Sequence, residues 1–215
     1  MQKNLESCLI KLSDESWRNI SNSIVYIRCK EKLELLKKAG FDVDSRNDGF
    51  LAMCFVDHVQ GVLFSVIAAA HLRDTNIFVS KENKSSSLVL KAVDLKDCLY
   101  LNQNNMEVDL SHYYSYAGDI MKEYEKGFEE AIYIRDIMEL DEFRNPFAPD
   151  EIEVLLIGSF GQERVYVRAE RFGENRLYGV LLDSPKLAAG LKQGDEIDFL
   201  LIEREGKSST VHAVK

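Results

Sequence analysis

The chain has 215 residues, 46% of them hydrophobic and 10% aromatic, which is enough to bury a core and excludes global disorder. Its formal charge of −9 and pI near 5.1 exclude a general nucleic-acid binder, which needs a basic surface to displace counterions. The first residues, Met1 to Leu12, carry Lys3, Glu6 and Lys11 and no long apolar run, and the longest apolar stretch, Val62 to Ala70, is too short to span a bilayer. These features predict a soluble cytoplasmic protein with no signal peptide and no membrane segment.

In chain order, Ser23 to Cys29 is rich in β-branched and aromatic residues and predicts a strand. Lys30 to Ala39 places Leu33, Leu35 and Leu36 among Lys and Glu and ends at Gly40, as a capped helix does. Gly49 to Val56 and Gly61 to Ala69 read as two buried strands joined by a hairpin, followed by short strands at Asn76 to Ser80 and Ser87 to Val93. Apolar residues Ala117, Ile120, Met121, Tyr124, Phe128, Ala131 and Ile132 recur at spacings of three and four, which predicts one long amphipathic helix over 111–138. Pro146 and Pro149 then mark a linker at 143–150. Beyond it the pattern is almost wholly β, with five or six short strands and tight turns, which favours a small barrel or curved sheet.

The expected architecture is therefore α+β. Residues 1–142 form a mostly antiparallel sheet with helices, ending in the long acidic helix, and 151–215 form a small β-barrel-like or curved-sheet domain. Four widely spaced cysteines (Cys8, Cys29, Cys54 and Cys98), with no C-x-x-C pair, read as reduced, buried small hydrophobes.

The last third carries three recognisable strings: Glu163-Arg-Val-Tyr-Val167, Gly179-Val-Leu-Leu-Asp-Ser-Pro185 and Gly190-Leu-Lys-Gln-Gly-Asp195. On these, residues 152–202 resemble the bacterial YegJ-type family of small β-rich domains, a resemblance that brings no assigned activity. Tyr166 stands where that family usually has Trp, and its Ile-x-x-Trp ending is absent at Ile202-Glu-Arg-Glu205. The stretch from Ser184-Pro185 to Asp195 also looks like part of a peptide-binding PDZ domain. Such a domain needs a helix and a further strand after that turn, and only 20 residues follow Asp195.

No catalytic constellation stands out. The histidines (His58, His71, His112 and His212) are not at metal-ligand spacing, no Ser occupies a nucleophile elbow, and Asp183 and Asp195 sit where turns use carboxylates to bond the backbone. No cofactor, metal or catalytic residue is therefore expected. Charge does concentrate: residues 111–150 hold 4 basic and 10 acidic side chains, a net −6 of the total −9. Asp119, Glu123, Glu129, Glu130, Asp136 and Glu139 form the candidate surface for a basic protein partner, because opposite charge speeds and selects association. The function expected is a non-enzymatic protein-interaction module, such as a toxin-immunity or regulatory binding protein. The alternative is an enzyme or small-ligand protein with a site between its two domains.

Overall fold

In a computed structural model the described residues are 5–83, 85–102, 113, 118, 124, 128–159, 161–188, 190–204 and 206–213. They divide into two compact units, Met1–Tyr124 and Glu125–Lys215. The first unit is a seven-stranded antiparallel sheet. Its strands are β1 (Ile10–Lys11), β2 (Ser23–Arg28), β3 (Gly49–Asp57), β4 (Gly61–Arg73), β5 (Asn76–Val79), β6 (Val89–Lys91) and β7 (Leu99–Asn102), in the order β1-β7-β2-β3-β4-β5 with β6 also on β4. Helices α1 (Trp17–Ile20) and α2 (Leu33–Lys38) are short, and Gly40, at φ +91°, follows α2.

Continuous apolar runs, rather than alternation, mark β3 and the first ten residues of β4, and both faces of these strands are buried. Ile24, Tyr26, Leu51 and Met53 share one core cluster with Ala68, Ala70 and Leu72. The β2–β7 register pairs Arg28 with Leu99, so Cys29 and Cys98 fall opposite each other one step further along. They form a disulfide with Cα atoms 5.4 Å apart. This corrects the reading of these two as separate buried hydrophobes: spacing along the chain could not show the pair, because the ladder makes it, and the redox state it keeps in the cell is set by the compartment. Cys54 is free and buried, and burial pushes its thiol pKa far up.

The second unit contains α3 (Glu129–Arg135), a 3-10 helix at Met138–Phe143, and strands β8 (Arg144–Asn145), β9 (Ala148–Gly158), β10 (Gly161–Gly173), β11 (Arg176–Leu181), β12 (Glu196–Arg204) and β13 (Lys207–Ala213). Strands β9 to β13 follow one another as antiparallel neighbours, and β13 returns to pair with β9. An up-and-down run of five strands brings its first and last strands into the same direction, so closing it requires a parallel seam. Val211, His212 and Ala213 make that parallel pairing with Leu155, Leu156 and Ile157, and the Thr210 hydroxyl donates to the Glu153 carbonyl beside it. Ile152, Val154 and Leu156 of β9 and Val165, Val167 and Ala169 of β10 point inward at period two and meet Leu177, Leu181, Ile197 and Phe199.

The expected α+β fold with a long acidic helix is overturned. Among the described residues the protein is mostly β, with 48% of them in strands of two sheets and no long acidic helix. Phe128 (φ −122°, ψ 29°) is not helical, and α3 has only 7 residues. After it the chain tightens, with Ile137 N–H bonding Ile134 C=O at 3.1 Å, and continues as a 3-10 helix. The non-helical backbone of Phe128 sets where α3 begins, and two arginines set where it ends. Arg135 turns inward, and its guanidinium donates two bonds of 2.8 and 2.7 Å to the Asp150 carboxylate, with side-chain exposures of 11% and 4%. Arg144, whose side chain is 1% exposed, donates to the carbonyls of Ile134 (2.7 Å), Ile137 (3.4 Å) and Pro149 and to Asp141 (3.0 Å). It thus supplies donors to the C-terminal carbonyls of α3, which have no partner within the helix.

Removing one partner of a buried pair leaves the other charge uncompensated. Asp150→Ala is expected to cost about 3–5 kcal/mol, read as a lower urea midpoint for the second unit. The double replacement Arg135→Met with Asp150→Leu should recover much of that loss. An unchanged midpoint for Asp150→Ala refutes the role given to the pair.

Candidate functional site

Among the described residues, surface depressions on the second unit include two of several hundred cubic ångströms. The first, about 450 Å³, is lined by Glu153, Glu163, Arg164, Val165, Tyr166, Asp183, Ser184 and Lys186. It runs beside the stretch of β10 ahead of Val167, where β10 pairs with β9 but not yet with β11. Its ionic groups are largely engaged. Arg164 pairs with Glu153, and the Glu163 carboxylate accepts the backbone N–H groups of Lys186 (2.6 Å) and Leu187 (2.8 Å). Those backbone bonds, with the Lys186 charge, hold the Glu163 pKa below the usual carboxylate range.

The residues of the C-terminal strings are structural here. A Cβ on Gly179 would meet the Arg168 carbonyl oxygen at 2.3 Å, so only glycine lets β11 approach β10 this closely. Asp195 accepts the Lys192 N–H at 2.9 Å, Ser184 accepts the Gln193 N–H at 3.0 Å, and Gly194, at φ +90°, donates to the Leu181 carbonyl. Together these bonds tie residues 183–195 to the barrel.

The second depression, about 380 Å³, is apolar. Buried Leu140, Leu177 and Phe199 line it together with Ile137, Phe172 and Leu201, with Glu139 and Asn175 at its rim. The lining residue Phe172 is 41% exposed, and on the segment that supplies Ile137 and Leu140, Met138 is 65% and Tyr133 58% exposed. The rings of Tyr133 and Phe172 meet at 6.1 Å between centroids. Arg144 and Arg135 position this wall, because they set where α3 ends and where the 3-10 helix begins.

Of the residues expected to bind a partner, Glu129 and Glu130 lie exposed in the first turn of α3, and Asp136 and Glu139 lie exposed just beyond it, with Glu139 at the groove. Asp119 and Glu123 lie outside the described residues. The groove residues had no functional signal in the sequence, where Phe172 reads as the start of a turn and Leu177, Phe199 and Leu201 as ordinary strand residues; only the barrel brings them beside Ile137 and Leu140.

Elsewhere, polar groups brace the fold. Asp48 accepts the Tyr26 hydroxyl and the Leu72 N–H (3.2 Å), and Arg28 pairs with Glu6 through two bonds of 2.7 Å. Arg28 Nε also lies 3.1 Å from Asp48 Oδ2, an ion pair off the hydrogen-bonding direction. Burial first, then the Asp48 bond, raise the Tyr26 hydroxyl pKa. His71 stacks on Phe78 and His212 sits beside Asp198, while His112 lies outside the described residues. Among the described residues, no three His, Cys, Asp or Glu side chains converge as metal ligands, and no helix is long and apolar enough to cross a membrane. No family model, curated protein or solved structure is found to match the chain.

The Glu163 brace has a pH dependence whose sign follows from its lowered pKa. A carboxylate with a depressed folded pKa stabilises above its unfolded value and loses that contribution as pH falls through the folded value. The Lys186 and Leu187 amides should therefore be protected from hydrogen exchange at neutral pH and lose protection below the usual glutamate range. Glu163→Ala should abolish the protection at every pH. Equal protection in wild type and variant, after correction for intrinsic exchange rates, shows that the brace is not needed.

Proposed function

We propose that this protein is a non-enzymatic protein-interaction module that takes a basic protein partner on the acidic segment 128–143. A toxin-immunity or regulatory binding role is the concrete form of that reading. The observation that carries it is the charge of this segment once its folded contacts are counted. It holds six acidic residues and one basic residue, Arg135, and Arg135 is turned inward on Asp150. Five of the six, Glu129, Glu130, Asp136, Glu139 and Glu142, are exposed, and Asp141 is paired with Arg144. Part of this acidity suits the N-terminal turn of α3 without any partner, since Glu129 and Glu130 complement the helix dipole. Asp136, Glu139 and Glu142 lie beyond the helix and have no such role, which favours an external cation. The second unit is read as a YegJ-type module on the three strings of Glu163 to Val167, Gly179 to Pro185 and Gly190 to Asp195.

The test is recovery of a stoichiometric partner from the native organism by affinity capture. Binding should weaken steeply between low and physiological salt and should be lost in Glu129→Lys with Glu130→Lys. A partner held equally well at high salt and by the charge-reversed variant sinks the reading.

The compartment is read as cytoplasm, where the thiol pool keeps cysteines reduced. Cys29 and Cys98 should then be recovered as alkylatable thiols after acid quenching of intact cells. Quantitative recovery as the disulfide excludes that compartment.

A further inference from the structure

We infer that the apolar groove beside the acidic segment receives an apolar anchor side chain from the basic partner, so that the recognised element is a Lys/Arg-rich segment carrying an aromatic or leucine residue. This deepens the partner-binding reading above and rests on it.

Two independent features meet at one place. The groove, about 380 Å³, has a floor of Leu140, Leu177 and Phe199 and walls of Ile137, Phe172 and Leu201. A depression of this size and lining holds a bulky apolar group and is selective for nothing but apolarity. The selection comes from charge. Glu139 is at the rim, and Asp136 and Glu142 are exposed on the same stretch of chain. The arginines next in sequence to the groove residues Phe172 and Leu177 do not cancel this charge: Arg171 is paired with Glu196 and Arg176 with Asp198. An acidic or neutral apolar ligand would meet like charge or none at the rim, whereas flanking Lys or Arg would meet carboxylates while the anchor leaves water. Buried apolar anchors inside a polar, charge-complementary rim are how protein interfaces concentrate their binding energy.

Phe172 lines the groove and is 41% exposed, and the Tyr133 ring meets it at 6.1 Å between centroids, so two aromatic rings stand at this edge of the depression. Exposed aromatic rings fit an anchor-binding edge.

The experiment uses the full chain. A random peptide library is displayed on phage, selected against the protein, and the enriched sequences are synthesised with a fluorescent label for anisotropy titration. Enriched peptides should combine Lys or Arg with Phe, Trp or Leu, and replacing that apolar residue by Gly should weaken binding about tenfold or more. Phe172→Ser, at a 41% exposed position, should weaken the parent peptide but not its Gly derivative, with an unchanged urea midpoint showing that the variant is folded. Glu139→Lys should weaken both and flatten the salt dependence. On the unaltered protein, the parent peptide should shift the methyl resonances of Leu140, Leu177 and Leu201.

Several outcomes overturn the inference: no enrichment, enrichment of acidic peptides, equal binding of parent and Gly derivative, or methyl shifts elsewhere. Dissociation of a dimer of this chain by Phe172→Ser also overturns it, because the occupant is then a second copy. If parent and Gly derivative bind equally and both weaken in Glu139→Lys, the groove fails while the acidic reading stands. If acidic peptides bind as well as basic ones, the acidic reading fails as well.

Discussion

Arg144 and Arg135 lie side by side in the architecture of the second unit and do different work. Arg144 is almost wholly enclosed and spends its guanidinium on the carbonyls of Ile134, Ile137 and Pro149, joining the end of a helix to the start of a barrel strand. Arg135 leaves the helix surface to meet Asp150 at the opening of β9. A buried guanidinium is tolerated only when its donors are satisfied, and here each of the two is met by several acceptors. The helix end, the 3-10 segment and the apolar groove beside it all follow from where these two side chains are held.

The barrel imposes a second constraint. Five strands in simple succession close only through a parallel seam, which among the described residues comprises three residue pairs supplemented by the Thr210 hydroxyl. The loop that bridges β11 and β12 is correspondingly well tied, by Glu163, Ser184, Asp195 and the Gly194 turn. The C-terminal strings that first attract the eye are accounted for by this work. They close a fold, and the surface proposed for a partner is elsewhere on the second unit, in the acidic segment and the groove.

Charge and apolar surface reinforce one another at that groove. Exposed carboxylates alone would be an ordinary solvated face, and an exposed phenylalanine alone would be a minor cost in solubility. In the proposed reading, their coincidence around one depression is what discriminates by chemistry: water would leave the floor, and cations would fit the rim.

Much of the strand content was legible in local chemistry. Ser23 to Cys29, the two runs flanking Asp57 to Gly61, and the alternation at Val165 and Val167 report themselves through β-branched residues, period two and turn residues, all short-range properties. The acidic stretch misled for the same reason. Apolar spacings of three and four suit a long helix, and nothing local says that Arg135 and Arg144 will turn inward and end it. The sequence by itself determined where strands and turns form and where negative charge collects, because these depend on neighbours along the chain. Tertiary structure alone decided that Cys29 meets Cys98, that the fifth barrel strand closes on the first, and that Phe172, Leu177 and Leu201 join Ile137 and Leu140 around one groove. Each of those depends on the register between segments far apart in the chain, and register is set by which faces are buried together.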